Sequence, residues 1–157
     1  MIRSIAAIDS NNGIANEAGI PWLGKIPSDY KYYREKISKT DIIMGYGMYL
    51  EMKKPYPDCV NYVATSKNEG LRDGFVAISN AYDFIKNYSS DIWNMGGAGL
   101  FASTFDLNDE LYITQLQGDF GCTKFFPEFK SEYKLTTESK PITENGITFT
   151  FQVWSKI

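Results

Sequence analysis

Asp29 is the residue whose placement most invites chemistry. It falls two positions after Pro27, at the head of a segment with helical spacing from Pro27 to Ile37. Proline is favoured at the first helical position, so Asp29 lands in the first turn. Tyr33, four residues on, shares its helix face, and a carboxylate and an aromatic ring placed this way would look into one cleft. Two readings fit: the carboxylate complements the positive end of the helix dipole, or it is the acid of a site. Spacing alone does not choose between them. The approach to the helix, Gly19-Ile20-Pro21-Trp22-Leu23-Gly24-Lys25-Ile26, is a long connection with its own aromatic anchor, and Trp22 is either core or part of the same cleft.

Two glycine turns stand where a strand hands over to a helix, Met44-Gly45-Tyr46-Gly47 and Met95-Gly96-Gly97-Ala98-Gly99. Glycines at such a turn let backbone approach a phosphate, whose charge the free N–H groups and helix dipole favour. Two turns on neighbouring strands would suit a dinucleotide pyrophosphate. Neither matches GxGxxG or the Walker pattern, and tight packing explains either one alone. Thr65-Ser66-Lys67 follows a predicted strand and offers two hydroxyls and an ammonium, enough for a phosphate monoester or for an ordinary polar turn. Tyr30, Tyr32 and Tyr33 make one helix rich in aromatic rings, which packing would ordinarily claim.

The chain has no histidine among its 157 residues. Ser-His-Asp and Cys-His arrangements and most zinc catalysis are thereby excluded, leaving carboxylates, tyrosines, lysines or water for proton transfer. Cys59 and Cys122 lie far apart without a CxxC pattern, which reads as two unpaired thiols, with no metal site expected. A net charge of −3, with 16 Lys and Arg that cluster nowhere beyond the pair Lys53-Lys54, argues against a nucleic-acid partner. No apolar run reaches membrane-spanning length, and Met1 to Asp9 reads as a strand and not a signal peptide. A cytoplasmic protein with no membrane partner is expected, and a monomer.

The elements that must position these groups alternate. Strand-length apolar runs recur at Ile2–Ile8, Asp41–Met44, Asn61–Ala64, Phe75–Ala77, Ile92–Met95 and Leu111–Leu116, and segments with helical spacing lie at Pro27–Ile37, Gly47–Met52, Ala81–Tyr88 and Ala98–Phe105. Alternation of this kind implies βαβ crossovers and a parallel sheet covered on both faces. At the C-terminus Ile147, Phe149, Phe151 and Val153 alternate with Thr148, Thr150, Gln152 and Trp154, a half-buried strand. Asn145-Gly146 before it signals a turn, with Tyr133–Thr137 as the partner strand of a long hairpin. The expectation is a single α/β domain over 1–157: a central mixed, mostly parallel eight-stranded sheet, an antiparallel C-terminal hairpin, and about four helices on both faces.

In this order the pieces resemble dihydrofolate reductase over nearly the whole chain. The marks are Ile5-Ala6-Ala7, Gly13-Ile14, Ile20-Pro21-Trp22 with Pro27-x-Asp29, Ile43-Met44-Gly45, Met95-Gly96-Gly97, Leu111-Tyr112-Ile113-Thr114 and Phe126-Pro127. The resemblance implies reduction of 7,8-dihydrofolate to tetrahydrofolate by hydride transfer from NADPH. It implies that Asp29, aided by Thr114, binds the pterin amino group and ring N3, and that Trp22 holds a water near the carboxylate. Ile5, Ala6 and Met95 would meet the pterin, the carbonyls of Ile5 and Met95 accepting from its amino group. Tyr30, Tyr33, Met52, Lys54 and Tyr56 would border the aromatic tail. For the cofactor it implies Ala7, Gly13, Ile14 and Ile20 on the nicotinamide side, within a mobile loop from Asp9 to Leu23. Gly45, Gly47, Met48, Met95, Gly96, Gly97, Ala98, Gly99, Leu100 and Phe101 would lie along the dinucleotide, and Thr65, Ser66 and Lys67 at the adenosine end, within roughly 39–88. A cis peptide between Gly96 and Gly97 is a further family feature.

Certain positions depart from the family. Cys59 stands where an arginine pairs with the α-carboxylate of the folate glutamate, and Lys54 or Arg34 is left to substitute. Tyr46, Gly47 and Met48 replace residues that are commonly basic, basic or polar, and threonine; Gly99 replaces a frequent arginine, and Cys122 a loop aspartate of some members. Two rival readings follow: a resemblance to the pyrimidine reductases of riboflavin synthesis, which Trp22 and Asp29 disfavour, and a nucleotide-binding module without turnover on the same fold.

Overall fold

The computed structural model describes residues 1–67 and 70–157. Its main sheet is built from β1 (Ile2–Ile8), β3 (Asp41–Gly45), β4 (Asn61–Ala64), β5 (Phe75–Ile78), β6 (Ile92–Asn94), β7 (Glu110–Leu116), β9 (Tyr133–Glu138), β10 (Ile142–Glu144) and β11 (Ile147–Lys156), while β2 (Gly13–Ala15) and β8 (Lys124–Phe125) form a separate pair. Helices α1 (Pro27–Ile37), α2 (Tyr46–Glu51), α3 (Ala81–Lys86) and α4 (Ala98–Ser103) connect the strands, and a 3-10 turn spans Phe105–Leu107.

The strand order is β10-β11-β7-β1-β6-β3-β4-β5, parallel from β5 to β7 and antiparallel beyond. β11 gives one edge to β7 over Phe149–Ser155 and divides the other between β10, opposite Ile147–Phe149, and β9, opposite Gln152–Lys156. Nine strands therefore make a mixed sheet eight strands wide. The Asn145-Gly146 turn joins β11 to the short β10 and not to Tyr133–Thr137, whose strand pairs further along. Ten residues of β11 are long enough to serve two partners in succession.

Alternation along β3 decides which helices cover which face. Ile42 and Met44 pack with Ile37 of α1 and Tyr49 of α2, whereas Ile43 packs with Ile85 of α3 and Leu100 of α4. The chain thus leaves β1 toward one face and leaves β6, its neighbour, toward the other. In an open α/β sheet, that reversal creates a crevice at the carboxyl ends of the two strands. No described helix is long and apolar enough to cross a membrane.

Candidate active site

The crevice is visible in the strand register. β1 pairs with β6 only through Ser4 opposite Asn94, although its pairing with β7 continues through Ile8. From Ile5 onward the β6 side of β1 carries no ladder, and past Asn94 the chain instead follows β3, through Met95 N to Ile43 O at 2.9 Å and Gly45 N to Gly96 O at 2.7 Å. Ile5 and Met95 line the same buried cluster, with Tyr33, Met52 and Tyr56 packed against it. Ala6 and Ala7 lie on the open stretch of β1.

The two glycine turns touch. A Cβ on Gly45 would sit 3.4 Å from the Gly96 carbonyl oxygen, and a Cβ on Gly96, whose φ is +79°, would meet the Phe101 ring at 2.3 Å. The Gly96-Gly97 peptide is cis. Packing explains those two glycines. It does not explain Gly47, Gly97 and Gly99, where a Cβ would meet nothing within 4 Å. Those stretches of backbone lie open to an incoming group, which is what a dinucleotide cofactor needs from them. Leu100 and Phe101 of α4 bury their side chains, as Met95 does, and Met48 packs partly into the core of α1 and α2, so contacts to a ligand from these four would come mainly through backbone. Thr65, Ser66 and Lys67 follow β4: Lys67 N donates to Thr65 Oγ1 at 3.1 Å, and Lys67 Nζ lies 4.7 Å from the centre of the Tyr46 ring. Basic residue and aromatic ring therefore meet at the start of α2.

Asp29 stands across the crevice, in the first turn of α1. Thr114 Oγ1, buried on β7 opposite Ala7 of β1, donates to Asp29 Oδ1 at 2.6 Å. Among the described residues no hydrogen bond reaches Oδ2. Withdrawal from water lifts the Asp29 carboxyl above its ordinary range; the Thr114 hydrogen bond opposes this, and the negative charge of Glu144 adds to it. Glu144, on β10, accepts from Ser28 N at 3.0 Å and Ser28 Oγ at 2.6 Å, so the C-terminal hairpin fixes the head of α1. The helix start has no side-chain cap from Ile26, and the Asp29 carboxylate accepts from the Thr114 hydroxyl on β7. Trp22 is buried with Ile26, Leu116, Ile147 and Phe149, edge-on to Phe120 at 5.3 Å, with Ala7 packed against the cluster. It walls one end of the crevice. Ile20 is 42% exposed.

Toward the other end of α1, Tyr30, Tyr33 and Tyr56 form a chain of rings, Tyr56 donating to the Tyr33 hydroxyl at 3.5 Å. Burial holds the Tyr33 hydroxyl well above its ordinary pKa. Beyond them lies a cavity of about 220 Å³ between Arg34, Met52, Lys54 and Tyr56. Cys59 does not line it: its thiol sits 3.7 Å from the Tyr56 carbonyl oxygen, in a turn that Asn61 ties together through Tyr56 N and O.

Asp9 is the residue that sequence reasoning passed over. Fully buried, it accepts from Asn11 N at 2.9 Å and Gly13 N at 2.8 Å through Oδ1, and from Phe120 N at 3.0 Å through Oδ2. Burial alone would raise its pKa, but these N–H donors and the Cys122 thiol together hold it below the ordinary range. The segment after β1 is thereby bound to the segment after β7, and Gly13 is confined, since a Cβ there would come within 2.4 Å of Cys122 Cβ. Nothing local announces this, because Phe120 is 111 residues away. The thiol of Cys122 is pushed up to about 11 by burial and by the charge of Asp9.

An open α/β sheet split at a topological switch, with a withdrawn carboxylate on one side and open glycine backbone on the other, defines an enzyme that brings a small substrate to a nucleotide cofactor. The chain belongs to the dihydrofolate reductase family, whose model matches residues 1–156. It is 32% identical over 163 residues to the dihydrofolate reductase of Buchnera aphidicola subsp. Acyrthosiphon pisum, covering 99% of each chain. To that of Bacillus subtilis it is 29% identical over 161 residues, covering 99% of this chain and 95% of the relative. A solved dihydrofolate reductase from Enterococcus faecalis, complexed with NADP(H) and RAB-propyl, superposes with a TM-score of 0.86 at 22% identity, covering 99% of this chain and 96% of that one, and so shares the fold.

Proposed function

We propose that this chain reduces 7,8-dihydrofolate to 5,6,7,8-tetrahydrofolate with NADPH, and that Asp29 is its catalytic residue. One observation carries the assignment of Asp29: a carboxylate withdrawn from water, one oxygen held by Thr114 and the other without a donor among the described residues, at the rim of a sheet opened between β1 and β6. A flat cationic heterocycle bearing an amino group and an adjacent ring N–H would satisfy that second oxygen, with a charge-assisted bond stronger than a neutral one.

NADPH, when bound, supplies the hydride. The residues of this chain bind and orient. Gly45, Gly47, Gly96, Gly97, Ala98 and Gly99 would hold the dinucleotide along the paired turns, with Ala7, Gly13, Ile14 and Ile20 toward the nicotinamide. Thr65, Ser66 and Lys67 would hold the adenosine end, within roughly 39–88. Ile5, Ala6 and Met95 would border the pterin. Trp22, buried beside Ile26 at the entry to α1, would hold a water near the carboxylate, whose withdrawal from bulk solvent strengthens its field where the substrate nitrogen must gain a proton. Because its pKa is raised, Asp29 can hold a proton closer to neutrality than an exposed aspartate, with the reacting nitrogen as the destination. A monomer acting in the cytoplasm completes the reading.

The test is an assay of NADPH consumption with dihydrofolate and, separately, with the ribosylamino-pyrimidine of riboflavin synthesis. Oxidation with dihydrofolate alone is expected. Turnover of the pyrimidine alone, or of neither, would assign the fold to one of its other uses.

A further inference from the structure

Two consecutive residues at the tip of the C-terminal hairpin hold the chain on either side of Ile26. Asn145 Nδ2 donates to the Lys25 carbonyl at 2.6 Å, and Glu144 accepts from both the N–H and the hydroxyl of Ser28, at 3.0 and 2.6 Å. Ile26 itself packs with Ile147 of β11. The tip is well defined, since Asn145 and Gly146 have φ of +49° and +77°, and a two-residue turn with both values positive suits the twist of a hairpin.

Part of this grip is a helix cap supplied from a distant strand. Ile26 offers no side-chain bond to α1, and Glu144 satisfies the Ser28 N–H, one of the first-turn donors that a helix leaves free. A neutral acceptor would do as much. Glu144 instead sets a second carboxylate at a helix end that already carries Asp29, and neither joins a salt bridge among the described residues. The groups that face Asp29 are few. From β7 it meets the Thr114 hydroxyl, from β10 Glu144, and from its own helix Tyr32, whose hydroxyl is pushed up to about 12, chiefly by burial, and stays neutral. Capping therefore accounts for an oxygen at residue 144 but not for its charge.

We propose that Glu144 is a positioning residue for the reduction, anchored on Ser28 so that its unneutralised charge is held against Asp29. A like charge there favours the protonated form of Asp29, the form able to give the substrate nitrogen a proton. Thr114 acts in the opposite sense, so β7 and β10 hold the carboxyl between opposed influences. The inference rests on the reading of Asp29 as the acid of dihydrofolate reduction.

The experiment has two readouts. In single turnovers with NADPH and dihydrofolate, Glu144→Gln should match the parent at acid pH and fall about threefold below it at alkaline pH, because Asp29 without the like charge gives up its proton earlier as pH rises. Glu144→Asp keeps the charge and should follow the parent across the range. In the free protein, with aspartate carboxyls labelled with carbon-13 and the Asp29 signal assigned by its loss in Asp29→Asn, that signal should titrate at lower pH in Glu144→Gln than in the parent. An Asp29 titration unmoved by Glu144→Gln, or a loss of rate of equal size at every pH, which a merely loosened hairpin would give, overturns this inference and leaves the reductase reading standing. Absence of turnover by the parent at any pH overturns the reductase reading and this inference with it.

Discussion

Asp29 and Asp9 are both drawn out of water, yet their protonation moves in opposite directions. Burial raises each; what differs is the number of donors that meet the charge. Asp9 gathers three backbone N–H groups and a thiol across two loops and stays ionised. Among the described residues Asp29 has Thr114 alone, with the negative Glu144 nearby, so its charged form is left under-satisfied. A carboxylate fully supplied with donors holds structure together, and one kept short of them has capacity left for a ligand.

The strongest way to break this contrast is to remove the charge from each. Asp29→Asn should lower turnover of dihydrofolate by at least about 100-fold at neutral pH, easing toward acid where the substrate arrives protonated. An unchanged rate would remove Asp29 from the chemistry. Folding should not suffer, because asparagine still accepts from Thr114. Because the folded pKa of Asp29 is raised, the folded chain binds the proton more tightly than the unfolded chain. The parent should therefore lose stability relative to Asp29→Asn as pH rises from the ordinary carboxylate range through that raised value, and then run level with it.

Asp9→Ala should act the other way, costing about 2 kcal/mol in denaturant unfolding, since it strands backbone donors from both loops. The pH dependence is opposite in sign: Asp9 has a lowered folded pKa, so its contribution is complete above the ordinary value of 3.8 and fades as pH falls through the folded one. Equal acid sensitivity in parent and variant would end the claim.

Thr114→Val sharpens the comparison. It removes the one donor that lowers the Asp29 pKa, so the pH–rate profile should shift toward alkali, with activity falling by about fivefold. The smallest effect is expected from Cys59→Arg, which offers a guanidinium at the position the family favours and should lower the KM for dihydrofolate monoglutamate by about threefold. No change would mean that Arg34 already satisfies the tail.

Much of the fold was legible in the chain. β1, β4 and α1 occupy the residues that pattern assigned them, since Pro27 sets the start of α1 and interior strands of the sheet read as short, mainly apolar segments. β2, β8 and β10, at two or three residues, are too short to carry a period, which is why the Asn145-Gly146 turn points by pattern to the longer Tyr133–Glu138 strand when its partner is β10. The site divides similarly. The glycine turns and Asp29 stand out by type and position, but the bond to Thr114 is implied only by family resemblance, and the Phe120 arm of the Asp9 clasp and the Glu144 brace are invisible because those partners lie more than a hundred residues away. Long-range polar contacts leave no periodic trace.

The split flank of β11 also bears on self-association. A long bare strand margin is a template on which a second molecule can add its own backbone. Here β9 and β10 cover β11 in two short lengths, interrupted between Glu138 and Ile142, and the opposite margin of the sheet is only the four residues of β5. Neither outer rim offers an uninterrupted run for fibril-like stacking, which should let the protein be concentrated without aggregating through its strands.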